Sequence, residues 1–178
     1  MTSTARLKLP REARVVPTLS YSEILRVIGQ DLESRGIKAF DIRDEGERIL
    51  VQCGYQVPPA ETPVTLHYTR RDIMELRLQG EEQRGQITEQ RDFFTLSQTL
   101  RAIGGHVDQK KARFVRLSNN DFYGADVVFR IEYETRDGER MIVDRSGSAI
   151  YDLCVTMYKR RGKLPKNIWC PSARTIRE

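Results

Sequence analysis

The chain has 178 residues, 39% of them hydrophobic and 31% charged, and a formal net charge of +5. That length suits one domain or two small, closely packed ones. No apolar run approaches the roughly 20 residues that span a bilayer, which argues against a helical membrane protein and against a membrane partner.

Three isolated cysteines, Cys53, Cys154 and Cys170, form no CxxC pair, which argues against a disulfide framework and a zinc knuckle. Residues 1–14 are basic but lack the apolar stretch of a secretory signal. A reducing cytoplasm is the expected location. The charge is uneven: residues 1–90 carry 13 Lys/Arg against 14 Asp/Glu, and residues 91–178 carry 17 against 11. A basic second half points toward an acidic partner such as nucleic acid.

In chain order, residues 1–18 read as an arm, with Pro10 and Pro17 bracketing a short extended stretch. A helix is predicted from Ser20, where a hydroxyl stands three positions before Glu23 as a capping box. Ile24, Leu25, Ile28 and Leu32 form its apolar stripe, Arg26 and Gln30 fall on the polar side, and Gly36 ends it. Strands follow at 37–43 and 48–53, joined by a turn around Gly46. A proline-rich loop at 57–63 leads to a strand at 64–68 with Val64, Leu66 and Tyr68 inward and His67 outward. Thr69 caps a second helix carrying Ile73, Leu76 and Gly80, and a polar linker closes the half.

The order then returns. Thr95 and Gln98 repeat the capping box, and Leu100, Arg101, Ile103 and Gly104 match Leu25, Arg26, Ile28 and Gly29 at one constant offset. The glycine pair 104–105 weakens this helix unless a neighbour packs against the bare backbone, since an interior Gly costs about 1 kcal/mol relative to Ala. The strand at 112–117 has two conflicting face assignments, because matching Phe40 to Phe114 or Ile42 to Leu117 gives opposite answers. Residues 118–121 have turn chemistry. A strand over 126–134 puts Val127, Phe129, Ile131 and Tyr133 inward, and a return strand at 141–145 leads to a last helix from Ser146 or Ser148. The expected fold class is α+β: a tandem pseudo-repeat of an α-β-β-β-α unit, with antiparallel sheets and helices packed on one face. The expected divisions are an arm at 1–18, repeats at 19–90 and 91–162, and a basic tail at 163–178.

No catalytic motif stands out, and no cofactor or metal is expected. His67 and His106 lie in no metal-ligand spacing. Arg145, Ser146, Gly147 and Ser148 offer N–H groups and a cation at a helix N-terminus, an arrangement that binds anions. Lys110, Lys111, Arg113 and Arg116 surround Phe114, and Lys159, Arg160, Arg161, Lys163, Lys166 and Trp169 make a cationic end beside Tyr158. Cations interleaved with aromatics suit phosphate neutralisation with base stacking.

In topology the doubled unit is similar to folds that bind nucleic acid on a concave sheet, such as the TATA-binding-protein saddle and the signal-recognition-particle Alu-domain proteins. That resemblance implies nucleic-acid contact on the sheet, whereas Asp41, Glu132 and Glu134 on the outward face are expected to repel phosphate. The functional expectation is a non-enzymatic binding protein that meets nucleic acid through the basic segments of its second half. The alternatives are an assembly module that buries its sheet face against a protein or a second copy, and an enzyme or sensor for an anionic small molecule between the halves.

Overall fold

A computed structural model describes residues 19–54, 64–83, 94–120, 122 and 126–162. The expected arm, the proline-rich loop, most of the linker and the tail lie outside them. The elements are α1 (Tyr21–Ser34), β1 (Ala39–Asp44), β2 (Arg48–Gly54), β3 (Val64–Thr69), α2 (Arg70–Gln83), α3 (Leu96–Gln109), β4 (Arg113–Asn119), β5 (Val128–Glu134), β6 (Arg140–Ser146) and α4 (Gly147–Arg160). The class is α+β. One six-stranded sheet has the order β3-β2-β1-β4-β5-β6, with every neighbour antiparallel.

Local chemistry sets the helix ends. Ser20 accepts a hydrogen bond from the Glu23 N–H at the start of α1, and Thr95 and Gln98 close a full capping box on α3. Gly36, at φ 68°, turns the chain out of α1, while the Ile37 N–H reaches back to the Leu32 carbonyl at 3.0 Å. The turns before β2 and β6 use Gly46 and Gly138 at φ 92° and 80°.

The two halves join at two places. In the sheet, β1 meets β4, with Ile42 opposite Leu117 and Arg43 opposite Arg116. In the helix layer α1 crosses α3 so closely that no side chain fits at two points. A Cβ on Gly29 would lie 2.9 Å from the Ser97 Cα, and one on Gly104 would lie 2.7 Å from the Ser22 nitrogen. The hydroxyls beside these contacts are used reciprocally: Ser22 donates to the Arg101 carbonyl at 3.2 Å, and Ser97 donates to the Arg26 carbonyl at 2.9 Å. The Asp108 carboxylate on α3 accepts the free N–H groups of Tyr21 and Ser22, at 3.0 and 2.9 Å, and so caps α1 from its neighbour. This neighbour explains why α3 runs unbroken through both glycines to Gln109.

One core lies between the helices and the inward strand residues Phe40, Ile42, Ile49, Val51, Phe114, Leu117, Phe129 and Ile131. Phe114 and Leu117 are both fully buried although they are three residues apart. A β-bulge reconciles them: Phe114 opposes Tyr133 and Arg116 opposes Glu132, which leaves Val115 as an extra residue in β4. Both sequence alignments of that strand therefore describe inward residues. β4 also runs on to Asn119, through part of the stretch expected to be a turn, because Asn119 pairs with Phe40 and its side chain accepts the Phe40 N–H at 2.9 Å. On β3 only Tyr68 is buried, and Val64 is exposed. Among the described residues, no helix is long and apolar enough to cross a membrane.

Candidate nucleic-acid interface

The alternation that sends Phe40, Ile42, Phe129 and Ile131 into the core sends Asp41, Arg43, Arg130, Glu132 and Asp144 to the opposite face of the sheet. The bulge at Val115 restores the phase of β4, so that Arg116 also stands on that face. Arg43 and Arg116 are direct cross-strand neighbours, an arrangement that is repulsive by itself. Asp41 lies between them and accepts both forks: Arg116 donates at 2.9 and 2.6 Å, and Arg43 at 3.2 and 2.9 Å. Glu132 then bridges Arg116, at 3.6 Å, and Arg140, at 2.5 Å. Arg130 forms a two-pronged pair with Asp144 at 2.8 and 2.9 Å, and Arg113 meets Glu134 at 2.6 Å.

At the centre of the face the two kinds of charge occupy different depths. The carboxylate side chains of Glu132 and Asp41 are 5% and 17% exposed, whereas those of their partners Arg140 and Arg43 are 60% and 42% exposed. At the margin Asp144 is nearly as exposed as Arg130, 50% against 54%. Asp41 and Glu132 thus form an inner level that orients the guanidiniums of Arg43, Arg116 and Arg140 above them. Burial alone would raise the Asp41 carboxyl, but the forks of Arg116 and Arg43 outweigh it and hold the group below the usual carboxylate range. These ion pairs contain five arginines and four carboxylates, and the excess is positive.

Among the described residues, the basic ones singled out from sequence do not gather on one surface. Arg113 and Arg116 face the open side of the sheet. Lys110 lies on the helix side, with its ammonium 5.8 Å from the centre of the inward Tyr133 ring. Lys111 follows with φ 53°, in the turn that leaves α3. Lys159 and Arg160 close α4, and Arg161 caps it. α4 packs on the core side through Ile150, Cys154 and Tyr158. Two of the interleaved aromatics are structural: Phe114 is fully buried, and Tyr158 stacks on Phe94 with ring centres 5.6 Å apart. Lys163, Lys166 and Trp169 lie outside the described residues. At the N-terminus of α4, the Gly147 N–H donates to the Val127 carbonyl at 3.0 Å, so this expected anion donor serves the fold, and the Ser146 hydroxyl accepts the Ala149 N–H at 3.3 Å as the helix cap. A Cβ on Gly147 would stand 2.5 Å from a Val127 methyl, which accounts for the glycine. Arg145 is exposed beside them on the helix side.

Three features escape a reading by periodicity. Arg26, expected on the polar side of α1, is 4% exposed because α3 covers it. Its guanidinium and those of Arg101 and Arg77 converge on Glu23, at 3.2, 2.8 and 3.9 Å. Burial pulls the Glu23 carboxyl up, and the cations of Arg26, Arg101 and Arg77 together bring it below its ordinary value. The equal offset of Arg26 and Arg101 was the available signal. A third feature is an apolar cavity of about 250 Å³ between α4, β5 and the start of α3, lined by Phe94, Phe129, Ile150, Tyr151 and Cys154 among others. Burial pushes the Cys154 thiol up to about 12, so it is not a nucleophile at neutral pH. Burial, Lys110 and Arg145 lower His106 below its ordinary value. Among the described residues no group of three or more His, Cys, Asp or Glu is arranged to hold a metal.

Comparison with protein-family models, with curated proteins and with solved structures gives no match. The reading of function therefore rests on the chemistry of the sheet face.

Proposed function

We propose that this chain is a non-enzymatic nucleic-acid-binding protein, made of two diverged copies of one α-β-β-β-α unit, that meets the phosphate backbone with the arginine layer of its open sheet face. The observation that carries this reading is the depth ordering of charge. Half-exposed guanidiniums stand above nearly buried carboxylates, and a carboxylate that accepts one edge of an arginine leaves its other N–H groups free for phosphate. The acids that seemed to forbid phosphate on this face instead pre-order the donors. With Phe114 and Tyr158 in the core, binding is expected to read backbone charge rather than stacked bases. The duplication is supported by the reciprocal serine contacts and by the pair of close-approach glycines. The buried free thiols of Cys53 and Cys154 suit a reducing, cytoplasmic setting.

The test is fluorescence anisotropy of labelled single- and double-stranded RNA and DNA across a salt series. Four or so phosphate contacts give a log–log salt slope of about −3 to −4. Arg43→Ala with Arg130→Ala is expected to flatten that slope by about two, while Lys159, Arg160 and Arg161 changed together to Ala leave it unchanged. Binding lost in the α4 triple variant and kept in the sheet variant would move the interface to the helix end. No binding at low salt would refute the reading.

A further inference from the structure

β6 is an outer strand of the sheet. Its inner bonding follows one parity: the Thr135 N–H donates to the Glu139 carbonyl at 2.9 Å, and the Gly147 N–H donates to the Val127 carbonyl at 3.0 Å. In the β5–β6 register, odd-numbered residues of β6 therefore bond toward β5, and the backbone N–H and C=O groups of Arg140, Ile142 and Asp144 point away from the sheet. The Ile142 side chain is 59% exposed on the open face. An outer strand with outward backbone groups and an exposed isoleucine is a template for another strand.

We propose that β6 pairs antiparallel with β6 of a second copy of this chain, with Ile142 opposite its own equivalent on a two-fold axis. The charge pattern selects this register. Centring on Ile142 sets Arg140 opposite Asp144 of the second copy and Glu139 opposite Arg145, and each pair occurs twice. Met141 meets Val143 on the helix side. The outward-bonding residues 140, 142 and 144 then face one another, as an antiparallel ladder requires. Other registers of the same parity lose this match. Centring on Val143 sets Ile142 against Asp144 and Met141 against Arg145, centring on Met141 sets Arg140 against Ile142, and centring on Arg140 or Asp144 sets like charges together. The ion pairs already on the open face would continue across the axis, from Glu132 through Arg140 to Asp144 and Arg130 of the second copy. β3, the other outer strand, has no Asp, Glu, Lys or Arg and offers no such match. The proposal is independent of nucleic-acid binding.

A single strand pair is a small interface, so the dimer is expected to be weak, with a dissociation constant on the order of micromolar to tens of micromolar. Sedimentation equilibrium from about 1 to 500 µM is expected to show a monomer–dimer equilibrium. Ile142→Lys sets two like charges on the axis and is expected to leave only monomer; because the position is exposed, thermal melting should show an intact fold. Glu139→Arg creates two Arg–Arg contacts and is expected to weaken the dimer about tenfold. The exchange Glu139→Arg with Arg145→Glu restores both pairs and is expected to recover the dimer. A wild-type chain that stays monomeric throughout overturns the proposal. So does a dimer indifferent to Ile142→Lys or Glu139→Arg, or one that the double exchange fails to restore.

Discussion

Two adjacent glycines in α3 are expected to respond to alanine with opposite signs. At Gly105 an added Cβ meets only the Met157 sulfur at 3.5 Å and the Ser22 hydroxyl at 3.7 Å, both ordinary contacts. Gly105→Ala therefore gains helix propensity and is expected to stabilise the protein by about 0.5–1 kcal/mol. At Gly104 the same Cβ would lie 2.6 Å from the Tyr21 carbonyl carbon and 2.7 Å from the Ser22 nitrogen, which are backbone atoms of α1 and have no rotamer to change. The helices must separate, at an overpacking cost of about 1–3 kcal/mol. Separation also disrupts the two hydrogen bonds from the α1 N-terminus to Asp108, a cap worth about 2 kcal/mol in all. After the propensity gain of about 1 kcal/mol, the net loss for Gly104→Ala is about 2–4 kcal/mol, a large share of the roughly 5–15 kcal/mol of a typical domain. Urea denaturation followed by far-UV circular dichroism measures both. Equal shifts for the two variants would refute the close crossing of α1 and α3.

Two further outcomes follow from named contacts. Asp108→Ala leaves the Tyr21 and Ser22 N–H groups without their acceptor and is expected to cost about 2 kcal/mol in the same urea assay; a change within about 0.5 kcal/mol would argue against the cap. Acid sensitivity comes from Glu23 and Asp41, whose folded carboxyls sit below their ordinary values of 4.5 and 3.8. The unfolded chain then binds protons more readily, so the stabilisation is full above those values and is lost as pH falls through the lower folded ones. Thermal melting between about pH 6 and 2 is expected to show a decline on the acid side that Glu23→Gln makes shallower, and an unchanged profile would count against the arginine cluster.

Much of the local architecture was legible in the sequence because it depends on short-range chemistry. Ser20, Thr95 and Ser146 cap the helices they precede, as their hydroxyls dictate, and the alternation of Phe129, Ile131 and Tyr133 sets the face of β5. What periodicity cannot carry is any property that belongs to a pair of distant residues. The face of β4 was ambiguous because a bulge is defined against a partner strand, and only Tyr133 and Glu132 reveal the extra Val115. Arg26 reads as polar surface until α3 lies across it. The basic segments around Phe114 and Tyr158 look like phosphate-and-base sites in one dimension, but the fold spends both aromatics on the core and divides the cations between opposite sides of the sheet. The arginine layer joins residues from four strands, 43, 116, 130 and 140, spaced too irregularly to mark a motif. Sequence determined where helices and strands form, since their backbone and side-chain preferences act within a few residues. Tertiary structure decided which charges meet and at what depth, because burial and pairing depend on neighbours that only the folded sheet supplies.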